Sequence, residues 1–237
     1  MITWGNTSKE VQESRIDMAV LPIGSMEQHG PHLPLCTDSI IAQSVAEAIA
    51  RELNAFLLPC IPISSSIEHK DFAGSVWIMP QTLASIIRDI VLSLKYQGIK
   101  KIVVVNGHGG NFILKPAIRE LNLLHKDLLV ILVDLGGISP NNPDIHAGEA
   151  ETSLLLYLRP ELVKGKGVDY IPKAPRSYID YFGIKGLSRC GVWGLPSKAS
   201  PEKGKQIFET LVRKSLEYIK DVLKTYEERK EKHEDRN

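Results

Sequence analysis

The chain has 237 residues, of which 43% are hydrophobic and 24% charged, with a formal net charge of +1. That length and core fraction suit one large α/β domain, and the neutral balance gives no electrostatic reason to expect nucleic acid or an anionic membrane as partner. Cys36, Cys60 and Cys190 are too few and too scattered for a disulfide framework or a thiolate zinc knot, the first residues lack the order of a signal peptide, and no apolar run is long enough to cross a bilayer. The expectation is a cytoplasmic protein.

Residues 18–23 are an apolar run closed by Gly24, the pattern of a buried strand in which Pro22 sits awkwardly. Residues 39–51 have helical periodicity, with Asp38 at the expected N-cap. A second strand covers 55–58. Residues 81–97 put Leu83, Ile87, Val91 and Leu94 on one helical face and stop at Gly98. The β-branched run 101–105 is the clearest strand and suits a parallel interior position. A helix over 113–124, a strand over 128–133 and a helix over 148–158 follow. Residues 136–144 and 163–201 lose the pattern and read as loops with substrate-side contacts. The last segment, 201–237, reads as one helix with Ser200 as N-cap, and from about residue 225 it becomes a charged tail. Strands alternating with helices imply βαβ units, a mainly parallel sheet and a single domain over 1–237.

Three segments carry the chemistry: Glu27-Gln28-His29-Gly30 with Asp38, Asn106 to Asn111 around His108, and His146 to Glu151. The first two directly follow strands, where parallel sheets place their reactive loops. Glu27 and His29 leave one face of an extended segment, and His108 lies between glycines. His146 and Glu149 share a helical face, whereas Glu149 and Glu151 cannot both face one ion, so one of these glutamates is a ligand and the other is not. Mixed carboxylate and imidazole ligands suit zinc, manganese or iron. Three carboxylates and one hydroxide balance two divalent ions, which favours a binuclear site with Asp38 as bridge and a metal-held hydroxide as nucleophile. A rival of another class is a non-catalytic phosphate- or nucleotide-binding module built on the glycine-rich loop at 106–111. His69 could contact substrate; Trp77 and Trp193 read as packing residues.

The stretch from Leu21 to Leu35 with Thr37-Asp38, the Asn106 to Asn111 loop and the His146 to Ser153 segment resemble the creatininase (creatinine amidohydrolase) family. Weaker matches fall at Glu68-His69, at Phe72 to Ser75 and at Glu202 to Gly204. The resemblance implies a three-layer α/β/α fold, two divalent metal ions per chain, hydrolysis of a non-peptide C–N bond in a small amide, and a homohexamer. Carried over by position, Glu27, Asp38 and His108 hold one metal, and His29 with Asp38 the other. Creatininase completes its second metal with a glutamate two residues after the loop histidine; that position is Gly110 here, and Glu149 is taken as its substitute. His146 matches the family's proton-moving histidine, and Ile145 stands where creatininase has a glutamate. His69, Gly109 and Gly110 are the expected substrate contacts. Missing carboxylates at 110 and 145 point away from creatinine and toward another small cyclic amide or a formamide, with Lys198 or Arg189 as partner if the substrate is anionic. Formamidopyrimidine-nucleotide deformylation and creatinine hydrolysis itself are the alternatives, and a further relative trims a peptide in mycofactocin maturation.

Overall fold

A computed structural model describes residues 1–137 and 144–234. Its elements are β1 (Ile2–Thr3), α1 (Ser8–Ser14), β2 (Met18–Ile23), α2 (Thr37–Glu52), β3 (Phe56–Leu57), α3 (Pro80–Tyr96), β4 (Lys101–Asn106), α4 (Leu114–Leu124), β5 (Leu129–Asp134), α5 (Glu149–Leu158), α6 (Ile179–Leu187) and α7 (Pro201–Glu234). The five strands are all parallel, in the order β1-β3-β2-β4-β5. Most of the loop expected over 136–144 and the last three residues of the tail lie outside the described residues.

The central strands are apolar throughout because both their faces are covered. Val20, Val103 and Val105 point to one side, against Ile41, Val45 and Ile49 of α2, Leu154 and Leu155 of α5, and Leu211 and Ile219 of α7. Ala19, Leu21, Ile102 and Val104 point to the other, against Leu83, Ile87 and Val91 of α3 and Leu114, Ile118 and Leu121 of α4. The result is the three-layer α/β/α sandwich. Among the described residues no helix is long and apolar enough to cross a membrane.

The local differences from the sequence pattern have physical reasons. The N-cap of α2 is Cys36, so Asp38 is not the cap but lies inside the first helical turn. Residues 163–201 include α6, which the periodicity concealed because Gly183 breaks the helix at φ +61°. At α7 the cap is as expected, since Ser200 Oγ accepts the Lys203 amide at 3.3 Å.

Strand order decides where a site can form. The chain leaves β2 for β3 on one side, and later returns to β4 on the other side of β2. The carboxyl ends of β2 and β4 therefore flank the point where the winding reverses, the usual place for a ligand crevice in such sheets. Into that crevice the start of α2 is wedged closely. A Cβ on Gly24 would collide with the Ser39 backbone, and one on Gly107 would lie 2.7 Å from the Asp38 carbonyl oxygen. Only glycine at these two strand ends lets Asp38 sit between them.

Candidate metal centre

Glu27 is buried, at 1% exposure, and neither of its carboxylate oxygens has a hydrogen-bond partner. An unpaired buried carboxylate is costly, so something cationic belongs beside it. His108 Nδ1 stands 3.1 Å from both Glu27 Oε2 and Asp38 Oδ2, and His29 Nε2 stands 3.1 Å from Asp38 Oδ1. Asp38 thus faces both imidazoles, and Ser25 Oγ donates to its Oδ2 at 2.7 Å. Glu27, His29 and Asp38 each bring a donor atom within 4.8 Å of the other two, and so do His29, His146 and Glu151.

The remaining contacts of each imidazole assign its protons, because a backbone carbonyl can only accept. His29 Nδ1 donates to the Glu27 carbonyl at 3.2 Å, His108 Nε2 to that of Ser65 at 3.2 Å, and His146 Nε2 to that of Gln28 at 2.8 Å. In each neutral ring the other nitrogen turns a lone pair toward the acids. Such outer hydrogen bonds are what orient histidines that hold metals. The donor set fits divalent cations of the zinc, manganese or iron type.

The electrostatics of the bare chain agree. Burial works against charge on His29, yet Asp38 beside it, with Glu151 and Glu27, raises its pKa to about 10. Burial also opposes ionisation of Asp38, but the His29 and His108 charges hold it well below the carboxylate range. Glu27 is raised, by burial first. In the bare chain these protons neutralise the acids, and a metal ion bound there would take over that role by displacing them.

The loop around His108 is braced by its two asparagines. The Asn106 amide donates to the His108 carbonyl at 2.9 Å and to Asp134 at 3.1 Å; Asn111 donates to Asn106 Oδ1 at 2.9 Å. Asn111 Oδ1 in turn accepts the Ser65 amide at 3.1 Å. The loop's internal hydrogen bonds thus aim an imidazole, where the rival reading had it cradling a phosphate.

The two glutamates of α5 part company. Glu151 reaches the cluster: its Oε2 accepts the Ala147 amide at 2.5 Å and lies 3.8 Å from His29 Nε2. Its side chain keeps 26% exposure, but its surroundings push the carboxyl up to about 7, burial first. Glu149 points away, to an exposed ion pair with Lys203 at 2.5 Å. The cause is local. Ala147 takes a left-handed conformation, φ +50°, and Asp144 caps the helix by accepting the amides of Glu149 and Ala150 at 2.9 and 2.8 Å. Helix spacing allowed one of the two to face inward, and this start selects Glu151.

His146 is 7% exposed and tied through backbone bonds to Trp193. Burial and the nearby His29 charge hold its pKa well below the usual range, so it is neutral. His69 also joins the cluster, with its Nε2 3.3 Å from Glu27 Oε1. Gly109 lies beneath the Arg176 guanidinium, since a Cβ there would be 3.3 Å from Nη2. At Gly110 a Cβ would collide with Glu68 Oε1 and with His108 Nε2. The space left by the missing side chain is filled by Glu68, whose carboxylate stands 3.2 Å from His108 Nε2. Gln28 and Glu68 fall in segments the sequence had marked, but neither they nor Arg176 were assigned a role there; the bare glycine at 110 was the sign of an incoming neighbour.

The sequence profile of creatininase (creatinine amidohydrolase) matches residues 3–219. The chain belongs to the creatininase family. A mycofactocin precursor peptide peptidase of Mycobacterium ulcerans is 33% identical over 207 residues, 81% of this chain and 80% of its own. The creatinine amidohydrolase of Pseudomonas putida is 30% identical, over 85% of this chain and 88% of its own. A deformylase acting on 2-amino-5-formylamino-6-ribosylaminopyrimidin-4(3H)-one 5'-monophosphate, from Methanobrevibacter smithii, is 32% identical over 60% of each chain. Among solved structures, a manganese form of creatininase superposes with a TM-score of 0.80 at 25% identity, covering 93% of this chain and 98% of that one; a zinc–zinc form of a creatininase mutant shares the fold. This creatininase-family chain is an amidohydrolase, a hydrolase of C–N bonds.

Proposed function

We propose that the chain hydrolyses the C–N bond of a small cyclic amide or a formamide at a centre of two divalent ions. Glu27, His29, Asp38 and His108 would hold them, with Asp38 facing both imidazoles, and Glu151 would take the part that the resemblance had given to Glu149. The observation that carries this reading is the buried, unpartnered Glu27 carboxylate, ringed by imidazoles whose outer nitrogens are already bonded. Two divalent cations bound there supply Lewis acidity and a water of lowered pKa.

The chain's own groups supply the rest. His146 is neutral and its Nδ1 lies 3.8 Å from Glu27 Oε1, facing the cluster. It accepts a proton at Nδ1 from the attacking water and passes it to the departing nitrogen, which is a poor leaving group unless protonated. His146→Ala then loses about 10²–10⁴-fold in turnover and keeps its metal; loss of metal together with activity makes His146 a ligand. Arg176 above Gly109 is a cation available to an anionic substituent, the part for which the sequence had offered Lys198 or Arg189. The cytoplasmic setting and the homohexamer belong to the same reading, and light scattering of the purified protein reads the assembly directly.

A second reading has one observation behind it: the peptidase relative aligns over four-fifths of both chains, the deformylase over only 60%. On that reading the substrate is a peptide. One assay separates the two. Metal-replete protein is offered creatinine, hydantoins, formamidopyrimidines and short peptides side by side, and elemental analysis counts the ions. Two metals per chain with a small amide or formamide preferred supports the first reading. Preference for peptides supports the second, and efficient creatinine turnover makes Gly110 a neutral change.

A further inference from the structure

Four histidines surround Glu27, and three of them turn a lone pair inward. His69 is built the other way round. Its Nδ1 lies 3.0 Å from Gln28 Nε2, and the direction of that bond follows from what else the amide touches. Gln28 Oε1 accepts the Gly30 amide at 2.8 Å, and Gln28 Nε2 donates to the Gly191 carbonyl at 3.1 Å. Flipping the amide would set NH₂ against an N–H on one side and oxygen against a carbonyl on the other, so its orientation is fixed. Gln28 Nε2 also lies 3.1 Å from His146 Nε2, but that nitrogen already donates to the Gln28 carbonyl at 2.8 Å and cannot accept. The two amide protons therefore go to Gly191 and to His69 Nδ1.

A neutral imidazole that accepts at Nδ1 carries its proton on Nε2. That nitrogen is the one facing the cluster. Its nearest carboxylate oxygen is Glu27 Oε1 at 3.3 Å, the acceptor that Nε2–H faces before a substrate arrives. His69 is 2% exposed, and its ring centroid lies 4.6 Å from that of His146 with the two planes tilted by 51°. By distance alone Glu27, His69 and His146 could hold an ion, but a protonated Nε2 has no lone pair to give.

We propose that Gln28 holds His69 as a hydrogen-bond donor, that His69 is consequently not a metal ligand, and that its Nε2–H receives the substrate's carbonyl oxygen as that oxygen gains charge. The last clause rests on the amidohydrolase reading; the first two do not. A neutral donor fixed in place before the substrate arrives is the arrangement that stabilises an oxyanion at little reorganisation cost.

The test begins with unmutated, metal-free protein labelled with ¹⁵N-histidine. Long-range ¹H–¹⁵N correlation spectra should show His69 protonated at Nε2 and bare at Nδ1; the opposite tautomer overturns the proposal, and this arm needs no variant to fold. Zinc titration against a competing chelator should then find His69→Leu with unchanged stoichiometry and an affinity loss below the roughly tenfold expected when a metal's hydrogen-bonded supports are removed. Loss of an ion from His69→Leu overturns the proposal, and His29→Leu, which should lose one, calibrates the assay. On whichever amide of the panel turns over, His69→Leu should lower kcat about a hundredfold at unchanged KM, with partial rescue in His69→Gln, which keeps an N–H. Unaltered kcat removes the substrate role. If no amide is hydrolysed the amidohydrolase reading fails, while the spectra and the zinc titration still decide how His69 is built.

Discussion

The two halves of the acid–imidazole cluster stand on different foundations. Glu27, His29, Asp38 and His108 come from the ends of β2 and β4 and the first turn of α2, where the ladder continues into the site: the Gly107 amide still donates to the Ile23 carbonyl at 2.8 Å. His146 and Glu151 come from a segment with no place in the sheet. It is held by the backbone bridge to Trp193, by the Asp144 cap, and by His32 Nε2 bonded to Thr152 Oγ1 at 2.9 Å. The first half is fixed by the core and yields only when a ligand is removed. In the second, Leu154 and Leu155 anchor the body of α5 in the core, but the start of the helix is set by these polar contacts, so it can be shifted from a distance.

The sharpest way to break this comparison is Asp38→Ala. Asp38 faces His29 and His108 at once, so its loss should strip both ions and reduce turnover to background, as read by elemental analysis. Retention of both would end the shared role. Glu151→Gln should act on the docked half alone, removing one ion and leaving the other. Glu149→Gln serves as its control: an exposed pair with Lys203 contributes about 1 kcal/mol at most, and metal content should not move. If Glu149→Gln were the variant that lost an ion, the inward residue of α5 would be Glu149 after all.

Metal removal tests both halves together. At a free metal concentration of 100 Kd, binding contributes about 2.7 kcal/mol, and the metal-free chain should melt correspondingly lower. The pH dependence has a definite sign. Glu151 is raised from 4.5 to about 7 in the fold, so its unfolded form gives up the proton first and the fold weakens as pH climbs through that window. His29, raised from 6.5 to about 10, contributes stability that is complete below 6.5 and fades toward 10. Both trends run the same way, so the rise in Tm on adding zinc should grow between pH 5 and 9. A flat difference would mean that the protons and the metal do not compete. Apart from the Glu149 control, the smallest effect is that of Asp144→Ala, which removes the cap of α5. It should cost about 1 kcal/mol of stability and weaken one metal more than the other.

Much of the strand-end half is legible in the sequence, because a strand fixes the position of the residues at its exit. Residues 18–23 and 101–105 announce themselves as strands, and Glu27, His29 and His108 come within a few positions of their ends. The docked half is less legible. Spacing says that only one of Glu149 and Glu151 can face inward, but the choice depends on the left-handed backbone at Ala147, for which a non-glycine residue gives no local signal. Asp38 looks like an N-cap because caps favour that residue type, yet tertiary packing starts the helix at Thr37. Helix α1 did carry a readable signature: Thr7 and Glu10 form a capping box. The partners that orient the imidazoles, Gln28, Ser65 and Glu68, are set by contacts between distant loops, which no periodicity encodes.

Gly110 and Glu68 compete for the same space, and that exclusion constrains how the family can change. A single Gly110→Glu replacement, which restores the carboxylate of creatininase, would drive its Cβ into Glu68 Oε1. It would also set two acids against His108 Nε2. Replacing Glu68 first would vacate the position but take a partner from His108. Because Glu68 Oε1 is the tip of a flexible side chain, the clash is relieved when Glu68 swings away from His108 Nε2, so the two positions are coupled: a change at either one alters what the other does to that imidazole.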